Sequence, residues 1–175
     1  MAHGAIRVSS LSDRFLDNLR AHAASGSETS VSRLPDDLEE VIDPPAITTQ
    51  EVATRHELEG TGITTRPTVA DLESARTGVT EASLGVARYG SVVLPGGADG
   101  AELISLYPTH HVILLPASHI VDDLQATFDH LDETQGTDTR TSIMATGPSA
   151  TADMGELVYG AHGPTEVHVL VVTDR

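Results

Sequence analysis

The chain has 175 residues, of which 39% are hydrophobic and only 3% aromatic, so one domain with an aliphatic core is expected. It contains no cysteine, which excludes disulfides and any zinc site or iron–sulfur cluster held by its own thiolates. Its 26 acidic and 10 basic residues give a net charge of −16, and no basic stripe is present to neutralise the phosphates of a nucleic acid.

The acidic residues are dispersed along the chain from Asp13 to Asp174, and all 10 basic residues are arginine. A dispersed acidic surface without lysine is typical of proteins adapted to high salt, where self-repulsion is screened, and it indicates a halophilic source. No apolar run approaches the roughly 20 residues of a membrane helix, and the start shows no secretory signal pattern. We therefore expect a cytoplasmic protein without a membrane partner.

Two amphipathic helices are predicted near the start of the chain. Residues 10–23 carry apolar side chains at helical spacing, with Ser10 and Asp13 as an N-terminal capping signal. Pro35 is predicted to open a second helix with acidic residues in its first turn, and residues 43–45 end it.

Between these helices, residues 24–30 are small and polar and are expected to be mobile, while residues 31–34 are a candidate short strand. We predict a single domain overall. Residues 1–45 form an N-terminal helical segment packed on or leading into a core that consists of residues 46–175.

From residue 46 onward, short apolar segments alternate with helical ones. A helix is predicted to begin at Ser118, and an antiparallel or bulged arrangement is plausible around residues 78–94. Candidate strands are residues 46–49, 78–82, 84–87, 91–94, 111–115, 141–146 and 167–172. Continuous apolar strands that alternate with helices predict an α/β fold with a mostly parallel central sheet covered on both faces.

The strongest local signal joins residues 147–153 (GPSATAD) to residues 162–164 (HGP). Residues favoured at helix starts follow the turn after the strand, so we predict a helix start whose backbone N–H groups bind an anion. If the neighbouring strands belong to one parallel sheet, both loops meet at its carboxyl edge, where open α/β sheets bind ligands.

These loops supply most of the predicted site residues. Asp153 and His162 form a candidate catalytic carboxylate–imidazole pair, and Glu81 is a third candidate acid–base group. The alternatives are a helix cap with a turn histidine, and an exposed acid at a strand end. The predicted ligand-binding residues are Gly147, Pro148, Ser149, Thr151, Gly163 and Pro164.

The histidines do not predict a metal site. His110 and His111 are adjacent and would point to opposite faces of a strand, and no second pair stands at ligand spacing. We therefore expect no metal site in this chain.

Residues 146–153 (TGPSATAD), residues 160–164 (GAHGP) and a final strand that contains His168 together resemble the C-terminal signature of the LUD domain, the family of lactate utilisation protein C. Upstream segments, including residues 78–94, match that family in the same order. The resemblance implies a three-layer α/β/α fold of the NagB/RpiA/CoA-transferase type. It also implies participation in the oxidation of lactate to pyruvate beside partner proteins that hold the iron–sulfur clusters, with no cofactor held by this chain.

The chain departs from the family pattern at three places. Ala150 and Thr165 stand where the family usually has arginine, and Arg88-Tyr89 replaces an acid–threonine pair. Paired arginines are natural carboxylate clamps, so their absence bears on whether a small organic acid is a ligand. Three functions stay open: an accessory component of lactate oxidation, a stand-alone enzyme on a small anionic metabolite or thioester, and a non-catalytic ligand-binding or scaffold protein.

Overall fold

The computed structural model describes residues 10–96, 100–135, 141–153 and 156–175. Within these residues a parallel sheet of five strands forms the centre, and a smaller four-stranded sheet and a two-stranded hairpin accompany it. The helices are α1 (Leu11–Ala21), α2 (Leu34–Val41), α3 (Gln50–Arg55), α4 (Val69–Ser74), α5 (Ala101–Leu106) and α6 (Leu124–Gln135). The strands are β1 (Ser25–Thr29), β2 (Ala46–Thr48), β3 (Thr77–Glu81), β4 (Leu84–Val86), β5 (Ser91–Pro95), β6 (His110–Pro116), β7 (Ile120–Val121), β8 (Ser142–Ala145), β9 (Ala150–Asp153), β10 (Glu156–Tyr159) and β11 (Glu166–Val172).

The central sheet has the strand order β1-β11-β6-β3-β2, and each neighbouring pair is parallel. Strands β6 and β11 lie in its interior and are buried along most of their length, as continuous apolar sequences require when both faces of a sheet are covered. Side chains alternate between the two faces. Ile113 and Leu115 of β6 pack toward α1 and the smaller sheet, whereas Val112 and Leu114 pack toward α2 and α3.

Helix α1 forms where the sequence predicts it. The Ser10 hydroxyl accepts the Asp13 N–H, and the Asp13 carboxylate accepts the Ser10 N–H, which completes a capping box. Phe15, Leu16 and Leu19 then fall on one face and are buried against the central and smaller sheets. This helix therefore covers one face of the central sheet.

The smaller sheet has the order β7-β4-β5-β8, with antiparallel pairs except for β4 and β7. Val92 and Leu94 of β5 face the central sheet and share a core with Val167 and Val169 of β11. The two sheets thus stack with aliphatic side chains between them. Strands β9 and β10 form the separate antiparallel hairpin.

The predicted fold class is confirmed, since a mostly parallel central sheet is flanked by helices in an α/β arrangement. The antiparallel pairing of β4 with β5 agrees with the arrangement expected around residues 78–94. The division of the domain at residue 45 stays a prediction. Among the described residues, no helix is both long enough and apolar enough to cross a membrane.

Three local predictions are wrong. The strand near the start of the chain is residues 25–29, pairing with β11, and residues 31–33 form a turn instead. No α-helix begins at Ser118, because a 3₁₀ turn and β7 precede α6. No helix starts after Gly147, because residues 150–153 and 156–159 pair as a hairpin.

Candidate functional site

The two sequence motifs lie side by side. The Ser149 N–H donates to the Pro164 carbonyl oxygen at 2.9 Å, and the Gly160 N–H donates to the Ser149 carbonyl oxygen at 2.8 Å. The loops that contain Gly147 and His162 are therefore joined by backbone hydrogen bonds, as the sequence predicted. We call residues 146–149 and 160–165 together the paired loops.

The position of the paired loops differs from the prediction. Residues 162–164 precede β11, so they lie at the amino end of a central strand, and the Thr165 N–H donates to Thr109 just before β6. Residues 146–149 follow β8, which belongs to the smaller sheet. The expected meeting at the carboxyl edge of one parallel sheet is thus wrong, because β8 and β11 belong to different sheets.

Gly147 holds its loop against the end of α1. Its φ angle is +67°, in the left-handed region that favours glycine, and a Cβ added there would overlap the His22 carbonyl oxygen. Glycine at this position permits a close backbone approach to helix α1. The geometry of Gly147 accounts for the position of the loop, and direct ligand contact by Gly147 stays a prediction.

The hairpin changes the chemistry available to the predicted anion site. Without a helix start after Gly147, residues 148–153 present no positive helix end to an anion, and the Ser149 N–H is already donated to Pro164. Thr151 lies in β9, exposed and opposite Val158. Asp153 ends β9, but its side chain lies outside the described part of the structure, so its pairing with His162 stays a prediction.

A cavity of about 230 Å³ lies between the central sheet, the smaller sheet and the paired loops. Its walls are mainly aliphatic side chains of β5, β6, β8 and β11, and Leu19 of α1 reaches it. Polar side chains come from Ser105, His111, Thr146, Ser149 and His162. Gly147, Pro148, Gly163 and Pro164 also line it, so six of the predicted site residues that the structure describes surround one cavity, and Thr151 does not.

His111 is the functional candidate that the sequence reasoning missed. It is only 3% exposed, it lines the cavity, and its Nε2 lies 2.7 Å from the Thr80 hydroxyl. Burial, with a smaller effect of neighbouring His110, lowers the pKa of His111 to about 3, so its ring is neutral at pH 7. The available signal was a polar residue on the inward face of an apolar strand. His110, which precedes it, faces the other way and is only partly buried.

Glu81 occupies a different place, at the carboxyl end of β3, and borders a second cleft of about 400 Å³. Its carboxylate pairs with Arg55, and its Oε1 lies 3.2 Å from Nε2 of the buried His56. On the other side of the ring, Arg175 Nη1 lies 3.3 Å from His56 Nδ1, so the His56 ring lies between Arg175 and Glu81. The structure therefore separates Glu81 from His162, since the two lie at opposite edges of the central sheet.

The environment of Glu81 keeps its carboxylate charged. Burial raises the pKa of the Glu81 carboxyl, but the close contact with His56 and the charge of Arg55 outweigh burial and leave the pKa below its usual value. A carboxylate held in this way can act as an acceptor or a base, but not as a general acid at neutral pH.

Neither cavity shows a metal-binding arrangement. Among the described residues, no group of three or more histidine, aspartate or glutamate side chains could hold a metal ion. His168 lies on the face of the sheet that packs against α2 and α3. Its ring is bonded to two hydroxyls of β1, with Nδ1 at 2.8 Å from Ser25 Oγ and Nε2 at 3.2 Å from Ser27 Oγ.

The positions that depart from the family pattern supply no cation to the cavity. Thr165 is exposed and its hydroxyl donates to the Thr109 carbonyl oxygen at 3.1 Å. Arg88 is exposed and lies outside the lining of both cavities, while Ala150 begins β9. The lining of the first cavity, over the described residues, contains neither an arginine nor a carboxylate.

The family model described as LUD domain matches residues 11–172 of the chain. The chain is 35% identical over 111 residues to lactate utilization protein C of Anoxybacillus flavithermus, covering 63% of this chain and 50% of that protein. It is 34% identical over 107 residues to lactate utilization protein C of Bacillus subtilis, covering 59% and 45%. The chain thus spans about half the length of these relatives.

One solved structure, a DUF162 family protein from Deinococcus radiodurans, is similar with a TM-score of 0.73 and 18% identity. The similarity covers 93% of this chain and 96% of that one. At this identity the likeness concerns the fold alone, and it extends over nearly the whole of both chains.

Proposed function

Because the chain belongs to the LUD domain family, we propose that it is an accessory component of a system that oxidises lactate to pyruvate. The observation that carries the proposal is its similarity to proteins named lactate utilization protein C, at 35% and 34% identity. In this proposal the paired loops and the cavity beneath them form the ligand or partner surface.

The chemistry of the chain supports an accessory role. Iron–sulfur clusters are ordinarily held by cysteine thiolates, and this chain has none. Oxidation of lactate releases two electrons, so partner proteins that hold the clusters carry them away. The chain contributes a surface that binds a partner or a ligand, and it acts in the cytoplasm.

The surface around the paired loops supports contact with another molecule. The hairpin exposes large apolar side chains, with Leu157 at 58% and Tyr159 at 47% exposure, and Leu106 at the cavity is 46% exposed. Clustered apolar side chains on a strongly acidic protein are unusual for a surface that faces only water.

Affinity purification from a native high-salt extract tests this proposal. A tagged chain is expected to retain proteins with iron–sulfur absorbance, and the complex should reduce a dye when lactate is supplied. Removing the chain should abolish dye reduction, and adding back the purified chain should restore it. Purification of the chain alone, together with undiminished dye reduction in its absence, would refute the accessory role.

The cleft at Glu81 favours a second candidate, a stand-alone enzyme on a small anionic metabolite or thioester. A charged carboxylate that is held by Arg55 and His56 borders an open cleft, and carboxylates act as nucleophiles in several classes of enzyme. Under this candidate the isolated protein turns over such a compound, and Glu81→Gln abolishes turnover while His162→Ala tests the other cavity. Equal turnover by wild type and Glu81→Gln would remove Glu81 from the chemistry.

A further inference from the structure

We propose that the cavity beneath the paired loops binds an uncharged, largely apolar small molecule, with His111 as its hydrogen-bonding anchor, and that it discriminates against free carboxylates. The inference rests on the proposed function, because it assigns a ligand class to the surface used there. It also changes that function in one respect, since lactate itself would be bound elsewhere in the system.

The walls of the cavity are suited to an apolar ligand. Val92 and Leu94 of β5 face Ile113 of β6 and Val167 and Val169 of β11, and each of these side chains is at most 7% exposed. Moving apolar surface from water into such a space is favourable in proportion to the area buried. The same walls offer no compensation for a charged group, whose removal from water is costly unless it is paired.

The described residues that line the cavity offer a carboxylate no arginine to pair with, and the neutral ring of His111 contributes no positive charge. Bidentate arginine is the usual partner of a buried carboxylate. At low salt, the net charge of −16 on the whole chain further disfavours the approach of an anion.

His111 supplies the polar contact that an apolar ligand with one polar atom needs. Its Nε2 is bonded to Thr80, and no hydrogen bond among the described residues engages its Nδ1. A ligand hydroxyl or carbonyl group in the cavity would supply a hydrogen-bond partner for this Nδ1. The neutral ring offers either a donor or an acceptor at Nδ1, depending on which tautomer the Thr80 hydroxyl selects.

The size of the cavity limits the ligand. At about 230 Å³ it is smaller than the roughly 300–1,000 Å³ of sites for drug-sized ligands, so a small ring or a short branched chain is expected. The other polar side chains that line the cavity are Ser105 of α5, Thr146, Ser149 and, at the exposed mouth, His162.

A matched pair of compounds tests the charge preference. Methyl benzoate and benzoate share one ring and differ mainly in charge, and ligand-observed NMR with the isolated full chain measures binding of each. We expect methyl benzoate to bind at least tenfold more tightly than benzoate, and L-lactate not to compete with it. Equal or tighter binding of benzoate, competition by lactate, or no binding of methyl benzoate would overturn the proposal.

His111→Phe tests the anchor, because phenylalanine keeps the ring and removes the hydrogen bond. This variant should bind methyl benzoate about three- to tenfold more weakly, the loss expected for one hydrogen bond. His119→Phe, an exposed position away from this cavity, is the matched control and should bind as wild type does.

If His111→Phe does not fold, the wild-type chain labelled with ¹⁵N-histidine still gives the answer. The imidazole nitrogens of His111 should shift when methyl benzoate is added, and those of His168, on the opposite face of the sheet, should not. Unchanged His111 resonances at saturating methyl benzoate would refute its role. These binding results are independent of the purification experiment, so failure of one proposal is distinguishable from failure of the other.

Discussion

Alanine in place of Gly147 should destabilise the protein through two separate effects. The φ angle of +67° costs an L-residue about 1–2 kcal/mol, and the new Cβ would overlap the His22 carbonyl oxygen at the end of α1. Forcing extra atoms into a filled space costs typically about 1–3 kcal/mol. The expected loss is therefore about 2–5 kcal/mol, or about 4–20 °C in Tm for a chain of this length.

Gly62→Ala is the matched control for the backbone effect. Gly62 has a φ angle of +79°, but a Cβ added there would meet no atom within 4 Å. This variant should lose only about 1–2 kcal/mol, so the difference between the two variants measures the contact with His22. Thermal unfolding followed by circular dichroism gives both values. A Tm for Gly147→Ala equal to that for Gly62→Ala would refute the claim that Gly147 permits close packing on α1.

Three further predictions concern stability in urea. Glu81→Gln should lower the free energy of unfolding by about 1–3 kcal/mol at pH 7. Because the folded pKa of Glu81 is lowered, the carboxylate contributes fully to stability above pH 4.5, and this contribution is lost as the pH falls below that value. The variant and wild type should therefore become more alike in stability in acid. The folded pKa of His111 is also lowered, from 6.5 to about 3. The free energy of unfolding of wild type should therefore fall by up to about 1.4 kcal/mol per pH unit as the pH decreases through that interval. The stability of His111→Gln should depend less on pH over the same interval. Leu114→Ala, fully buried, should cost about 2–5 kcal/mol, whereas Leu103→Ala, 46% exposed, should change stability by about 0.5 kcal/mol or less. An unchanged acid dependence in either polar variant, or equal losses in the two leucine variants, would contradict the corresponding assignment.

Elements that depend on neighbours in the sequence could be predicted. Helix α1 follows from apolar residues at helical spacing and a capping box between Ser10 and Asp13, all within a few residues of one another. Strands β6 and β11 follow from continuous apolar segments, which only a sheet covered on both faces accommodates. The confirmed α/β class rests on the parallel sheet to which these two strands belong.

Elements that depend on distant partners could not be predicted reliably. Ser118 has a good helix-start residue type, yet the next residues, Ile120 and Val121, pair with Gly85 and Val86 in the smaller sheet. Residues 150–153 contain the residue types of a helix start, but they pair with residues 156–159, of which Val158 and Tyr159 are residue types that favour strands. Strand pairing overrides a weak local preference in both cases.

The family and the lack of thiolate ligands can be read from residue types along the chain, and the same kind of information predicted that the two motifs associate. Where those motifs lie and what they face was set by the tertiary fold. It put β8 in the smaller sheet, Glu81 at the opposite edge from His162, and His111 inside the cavity. The physical reason is that capping and periodicity act over a few residues, whereas the pairing of β5 with β8 joins segments about 50 residues apart. The chemistry of the cavity is set by that distant pairing.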